Sequence, residues 1–233
     1  MSKPISRRQL LQWSGLYSAS LLLSSCGSSL GSSEVGQAFE PLNQATQALL
    51  LSQKPVSEYP LSAIEPDKLL INTFDQTPQI DPTKYRLQIE GEVNHPLQLS
   101  LTDLQEFPLA SMVIQHVCVE GWAAIVQWSG VRLRELFRLA QPKSSVRYVY
   151  FKSADGYYES WDLASAMHPQ TLMAYQKNGQ PLSVDNGAPL RLASPIKLGY
   201  KQSKWVTQIL LTHQLMPSKG YWEDQGYEWF GGL

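Results

Sequence analysis

The 233-residue chain has only two cysteines, Cys26 and Cys118. Two thiols cannot hold an iron–sulfur cluster of four thiolates, and there is no C-x-x-C-H haem-attachment run. An electron carrier of either kind must therefore reside on another protein. Charge is also scarce: charged residues make up 17% of the chain and the net charge is −1, which argues against a general nucleic-acid or membrane-surface role. Neither G-x-G-x-x-G nor a Walker pattern occurs, so a nucleotide is not the natural ligand. There are no internal repeats and no second hydrophobic span. Histidine is rare too. His116 lies two residues from Cys118, but zinc needs about four ligands and no matching second pair exists.

The N-terminus has the order of an export signal. Ser6-Arg7-Arg8-x-Leu10-Leu11 is a twin-arginine pattern, followed by an apolar and small-residue run from Trp13 to Ser25. That run is shorter than the ~20 residues of a membrane-spanning helix. The competing reading is a buried N-terminal helix with two solvated arginines. Leu23-Ser24-Ser25-Cys26 fits a lipobox, in which Cys26 would carry a lipid anchor; otherwise it is a cysteine lying near a cleavage site. Residues 1–25 are thus expected as signal and 26–65 as lipobox cysteine and flexible tether, beginning with the Gly/Ser-rich GSSLGSSEVGQ. The remainder suffices for one substantial core, a domain over 66–216 with an aromatic tail over 217–233.

Periodicity predicts an α+β domain, mixed and richer in strand than helix. YRLQIEGEV (85–93) alternates as a strand, Asn94-His95-Pro96 turns, and LQLSL makes a second short strand. Thr102-Asp103-Leu104-Gln105 resembles a capping box opening a brief helix that stops at Pro108. SMVIQHVCV (111–119) is predicted as a buried strand, with Met112, Ile114, His116 and Cys118 on one face. In VRLRELFRLAQP, Leu133, Leu136, Phe137 and Ala140 fall at helical spacing. Strands are expected in SVRYVYFK, YYESW, TLMAY, APLRLASP and SKWVTQILLT, with turns at Asp155-Gly156 and Asn178-Gly179 and a short helix in DLASAM.

If Cys26 is lipidated or removed, Cys118 has no disulfide partner. An isolated thiol in an oxidising compartment must be buried, modified or metal-bound. A small buried hydrophobe is the plainest reading, but Cys118 ends a strand beside the Glu120-Gly121 loop. Downstream, RLASPIKLGYKQSK (191–204) holds Arg191, Lys197, Lys201 and Lys204 with no acidic residue. Broken by Pro195 and Gly199, this segment suits a phosphate; the alternative is a solvated basic edge strand. Asp185-Asn186-Gly187 is either an ordinary turn or one whose amide meets a polar ring.

Together these segments resemble the molybdopterin-binding oxidoreductase family, which spans sulfite oxidases and the periplasmic protein-methionine-sulfoxide reductase catalytic subunits. CVEGWAAIVQWSGVRLRELF (118–137) looks like the reductase branch's metal-ligand segment, and DNGAPLRLASPIKLGYKQSKW (185–205) resembles the pterin-binding segment. The resemblance implies a single molybdopterin-binding domain of the sulfite-oxidase type, carrying Mo-molybdopterin. It implies Cys118 as the metal's thiolate and catalytic residue. As cofactor-binding residues it implies Asn72, Phe74, Asp75, Gln76, Ser153, Asn186, Arg191, Gln202, Ser203 and Lys204, with the basic cluster taking the cofactor's phosphate. It implies two-electron oxo transfer, reducing an S-oxide or similar oxide on a small molecule or a protein. Electrons would come from a membrane haem electron-transfer subunit; no nucleic acid is involved. Two alternatives stand beside it: oxidation of a small oxyanion such as sulfite, and a metal-free exported binding domain. Sulfite oxidases carry an arginine-rich stretch after the ligand cysteine, where this chain has Glu120-Gly121-Trp122. The reductase branch has a longer insertion after the Ser153 position, where only ADGYYESW intervenes here. The expected location is the periplasm or cell surface.

Overall fold

The computed structural model describes residues 53–233, with Leu42 and Thr46 alone upstream. The twin-arginine run, the lipobox and the Gly/Ser-rich segment lie outside these residues. No helix among those described is long and apolar enough to cross a membrane.

Two sheets dominate, as expected of a strand-rich α+β chain. The first is five-stranded, in the order β2 (Leu97–Leu99), β1 (Leu87–Gly91), β10 (Val206–Thr212), β5 (Tyr148–Ser153) and β6 (Tyr158–Asp162). Only β1 and β10 run parallel in it, joining the two ends of the domain in one register, Ile89 beside Ile209. The second sheet orders β3 (Ala110–Val117), β4 (Ala123–Arg132), β7 (Leu172–Lys177) and β8 (Gln180–Pro181), with β9 (Arg191–Ala193) also paired to β7.

Period-two alternation explains the first core. Leu87 and Ile89 of β1, Val149 and Phe151 of β5, and Ile209 and Leu211 of β10 are fully buried. Helix α2 (Leu133–Ala140) closes over them with Leu133, Leu136, Phe137 and Ala140, the predicted stripe, all fully buried. It ends at Gln141, whose φ of 52° is left-handed, just before Pro142. A second core between β3, β4 and β7 holds Met112, Ile114, Ala124, Val126 and Trp128.

Three local expectations shift. Helix α1 (Leu101–Gln105) is capped by Ser100, not Thr102: Asp103 N donates to Ser100 Oγ at 3.1 Å and Ser100 N donates to Asp103 Oδ2 at 2.7 Å. The box thus starts two residues earlier, and a shorter Asp does the work of Glu. Strand β4 is new. Ala123 and Ala124, then Gln127, Ser129 and Gly130, weaken its β signal, and its identity comes from pairing with β3 along its length. Residues 54–65, expected as tether, are hydrogen-bonded to the second sheet. Tyr59 N donates to Val113 O and Glu65 N to Ile125 O, both at 2.9 Å, covering backbone groups that an open edge would leave unpaired.

The candidate cofactor cavity

Strand β3 carries its buried face, Met112, Ile114 and His116, to the start of a tight loop. Cys118 N donates to Trp122 O at 2.9 Å and Gly121 N to Cys118 O at 3.2 Å. Gly121 has φ 90°, a value that side-chain-bearing residues rarely adopt. Cys118 is half-buried at the first loop position. Burial raises its thiol pKa, and the Glu120 carboxylate adds to the rise, against lowering by the Glu120 and Val119 amides. Glu120 Oε2 lies 3.5 Å from the sulfur and also accepts from Asn72 Nδ2 at 3.1 Å and Trp122 Nε1 at 3.0 Å. Those donors hold the Glu120 carboxyl below its usual range, Trp122 most strongly.

Cys118 opens on a cavity of about 290 Å³. Asn72, Phe74, Asn186, Arg191, Gln202, Ser203 and Lys204 line it, so seven of the ten expected cofactor-binding residues meet Cys118 in one place. Asp75 and Gln76 are exposed and outside the lining. Ser153 is buried at the end of β5 and also outside it, although Asp155 and Tyr157 of the following turn line the cavity.

The floor is polar and cationic. Arg191 is 4% exposed and touches no carboxylate among the described residues. Its guanidinium donates to the carbonyls of Asn186, Leu192 and Gln202 and lies 4.3 Å from the Trp128 ring centroid. Burial lowers its pKa to about 9. Lys204 donates to the carbonyls of Asn72 and Asp185, with its pKa lowered to about 8 by burial first and by Arg191 second. His116 is held neutral, its pKa lowered to about 3 by burial and then by Arg191. Two buried atoms on lining residues, His116 Nδ1 and Ser203 Oγ, have no hydrogen-bond partner among the described residues. Such atoms are costly unless a ligand or water meets them.

Backbone room is part of the site. A Cβ on Gly187 would lie 3.0 Å from the Cβ atoms of both Arg191 and Lys204. A Cβ on Gly199 would lie 3.0 Å from His116 Nε2.

The basic cluster does not act as one unit, which corrects the sequence expectation. Lys197 and Lys201 are buried away from the cavity lining. Lys197 Nζ donates to Phe230 O at 2.6 Å and lies 3.5 Å from Asp162 Oδ2. Lys201 Nζ contacts Glu159 Oε1 at 2.5 Å and also pairs with Glu223. Only Arg191 and Lys204 of the four face the cavity. Sequence reasoning placed His116 beside Cys118 without a role, and it left out Trp122, Tyr157, Tyr200 and Trp205, all of which line the cavity with His116, and Tyr221, Trp222 and Tyr227 of the tail. The aromatic density of GYWEDQGYEWFGG was the available signal for the last three.

The family model "Oxidoreductase molybdopterin binding domain" matches residues 74–222. The chain is 39% identical over 180 residues to the "Putative protein-methionine-sulfoxide reductase subunit YedZ1" of Azospira oryzae, covering 74% of this chain and 68% of that protein. It is 33% identical to the "Protein-methionine-sulfoxide reductase catalytic subunit MsrP" of Campylobacter jejuni, covering 63% of this chain and 54% of the relative. The "Uncharacterized oxidoreductase YuiH" of Bacillus subtilis is 33% identical, with 70% and 81% covered. Among solved structures, the sulfane dehydrogenase SoxCD of Paracoccus pantotrophus matches with a TM-score of 0.57 at 22% identity, over 70% of this chain and 52% of that one. At that identity the match speaks for the fold alone.

Proposed function

This chain belongs to the oxidoreductase family built on the molybdopterin-binding domain, and from that premise we propose that its Cys118 cavity holds Mo-molybdopterin and that the enzyme reduces an S-oxide. The observation that carries the reading is the meeting of Cys118 with Arg191, Lys204 and Asn186 in one cavity. The residues fit such a group. Arg191 is a buried cation without a carboxylate partner among the described residues, suited to a phosphate. Ser203 Oγ and His116 Nδ1, on residues that line the cavity, are buried polar atoms without a hydrogen-bond partner among the described residues. No group of three or more His, Cys, Asp or Glu residues able to hold a metal occurs among the described residues. Cys118 would hold the metal as a thiolate, a soft ligand that suits a metal already bound by the sulfurs of its own cofactor.

When bound, the cofactor supplies a two-electron oxo-transfer centre. The chain's part is to bind and orient. Cys118 would ligate the metal as its thiolate, Arg191 and Lys204 would meet the phosphate with the Gln202 and Ser203 segment, and Asn72, Phe74 and Asn186 would flank the pterin. Glu120, an exposed carboxylate 3.5 Å from the Cys118 sulfur, would weakly disfavour an incoming oxyanion. That favours an uncharged oxide over sulfite. The names of the Azospira and Campylobacter relatives support a sulfoxide. We further propose export by the twin-arginine route, a lipid anchor at Cys26, and electron supply by a separate membrane haem subunit.

The test is metal and pterin analysis of protein made in a molybdenum-replete, cofactor-competent host, beside Cys118→Ala. Molybdenum in the wild type and its loss in the variant are expected. Wild-type protein without molybdenum would refute the reading. Sulfoxide reduction measured against sulfite oxidation then decides the direction.

A further inference from the structure

The cavity floor is buried and polar, but its rim is aromatic and half exposed. Phe74 and Tyr221 meet edge-to-face with centroids 4.5 Å apart. Tyr221 meets Trp222 at 5.1 Å, and Trp222 meets Tyr227 at 5.1 Å. Tyr227 in turn contacts Tyr200 at 5.6 Å, and Tyr157 closes the other end, 6.0 Å from Phe74. All six rings line the cavity of Cys118. Most meet edge to face, the arrangement aromatic rings prefer, and Phe74 is 41% exposed. Trp222 and Tyr227 remain 37% and 40% exposed.

The tail that supplies three of these rings is held firmly. Glu223 of α3 (Tyr221–Asp224) pairs with buried Lys201. Asp224 accepts from Tyr158 Oη at 2.7 Å, Trp229 Nε1 donates to Ser160 Oγ at 2.8 Å, and Leu198 N donates to Gly231 O at 2.8 Å. Tyr227 lies beyond the segment that the family model matches, which ends at residue 222. The electrostatics of the lining narrow what the rim can take. Its carboxylates are Glu120, Asp155 and Asp185. Its lysine and arginine are Lys204, tied to two carbonyls, and Arg191, buried in the floor. A negatively charged arm is repelled there, while an apolar or sulfur-bearing arm finds polarisable ring faces.

We propose that Tyr221, Trp222 and Tyr227, brought over the cavity by the C-terminal segment, form with Phe74 a subsite for the apolar arm of an uncharged organic S-oxide and so set which oxides the enzyme accepts. The inference rests on the proposed S-oxide reduction. The subsite itself does no chemistry; it positions the arm while the oxide end reaches the floor.

The test compares wild-type holoenzyme with Trp222→Ala, Tyr227→Ala and Tyr227→Phe. Steady-state rates with a reduced viologen donor are measured for methyl p-tolyl sulfoxide and for dimethyl sulfoxide, which has no large arm. Binding of methyl p-tolyl sulfone is measured by calorimetry, and molybdenum content is measured alongside. In each alanine variant the ratio of KM for the tolyl oxide to KM for the dimethyl oxide rises about tenfold, and sulfone binding weakens by a similar factor. Tyr227→Phe, which keeps the ring, stays close to wild type. An unchanged ratio with unchanged sulfone binding overturns the subsite, and so does loss of molybdenum in the alanine variants, which would assign the rings to the cofactor. If neither oxide is reduced yet sulfone binding still depends on Trp222, the proposed reaction falls and the subsite stands.

Discussion

Lys201→Met should unfold more readily than wild type, and the deficit should grow with pH. The Lys201 side chain is fully buried, as is Glu159, and Glu223 is 2% exposed. One ammonium thus serves two carboxylates in a dry site. Burial pushes the Glu159 carboxyl well above its usual value; Lys201 opposes the shift and Glu223 adds to it. Removing one partner of a buried ion pair costs about 3–5 kcal/mol, because the other charge is left unpaired. That is a large share of a total stability of about 5–15 kcal/mol. Without Lys201, Glu159 moves further up and escapes part of the cost by holding a proton. A carboxyl whose folded pKa lies above its unfolded value of about 4.3 contributes stability below that pH, and loses it as pH rises through the folded value. The Lys201→Met deficit should therefore be smaller at pH 5 than at pH 8, by up to about 1.4 kcal/mol per pH unit crossed. Urea denaturation followed by tryptophan fluorescence measures this at both pH values, and adding Glu159→Gln should recover part of the loss. A deficit under about 1 kcal/mol at pH 8, or one that does not change with pH, would refute the reasoning.

Two further outcomes rest on other parts of the fold. Gly130→Ala would place a Cβ 2.1 Å from Met173 O and 2.6 Å from Ala174 Cα, both backbone atoms of the paired β7. Thermal melting should show a loss of at least about 1–3 kcal/mol, and an unchanged melting temperature would mean that the strands do not approach this closely. Burial lowers the Lys197 pKa to about 7, with Asp162 opposing the shift. The unfolded chain keeps that proton up to about pH 10.4, so Lys197 should make stability rise with pH above 7. Lys197→Met should flatten that slope in denaturation series between pH 7 and 9.5, and an identical slope in the variant would count against the burial.

How much of this was legible in the sequence followed the reach of each signal. The stripe on α2 and the alternation of β1, β5 and β10 were readable because one face of each carries unbroken apolar positions. Strand β4 was not, since its alanines, Gly130 and Ser129 carry little β preference and its conformation is set by β3 on one side and β7 on the other. The edge-covering role of residues 54–65 was equally hidden, because the carbonyls and amides it satisfies belong to strands about fifty residues later. At the site, the position of Cys118 at the end of β3 was visible from local pattern. The companions that make its cavity arrive from turns and from the tail, and sequence spacing is silent about which of those meet.

The segment 191–204 shows why local charge misled. Along the chain it is one basic cluster, and a phosphate accounts for all of it. In three dimensions Arg191 and Lys204 face the cavity, while Lys197 and Lys201 are drawn to Asp162, Glu159 and Glu223, acids that lie up to 42 residues away in sequence. The division follows from burial. A lysine enclosed by protein must be paired or lose its charge, and the nearest carboxylates sit on β6 and α3. The same turn therefore does two jobs. Gly199 packs against His116 and the backbone of Cys118 on one side, while Lys197, Tyr200 and Lys201 fasten residues 223–230 on the other. The floor around Cys118 and the aromatic rim above it thus share one support. A change at Lys201, which does not line the cavity, would reach the rim through Glu223 and its neighbours Tyr221 and Trp222 without touching Cys118.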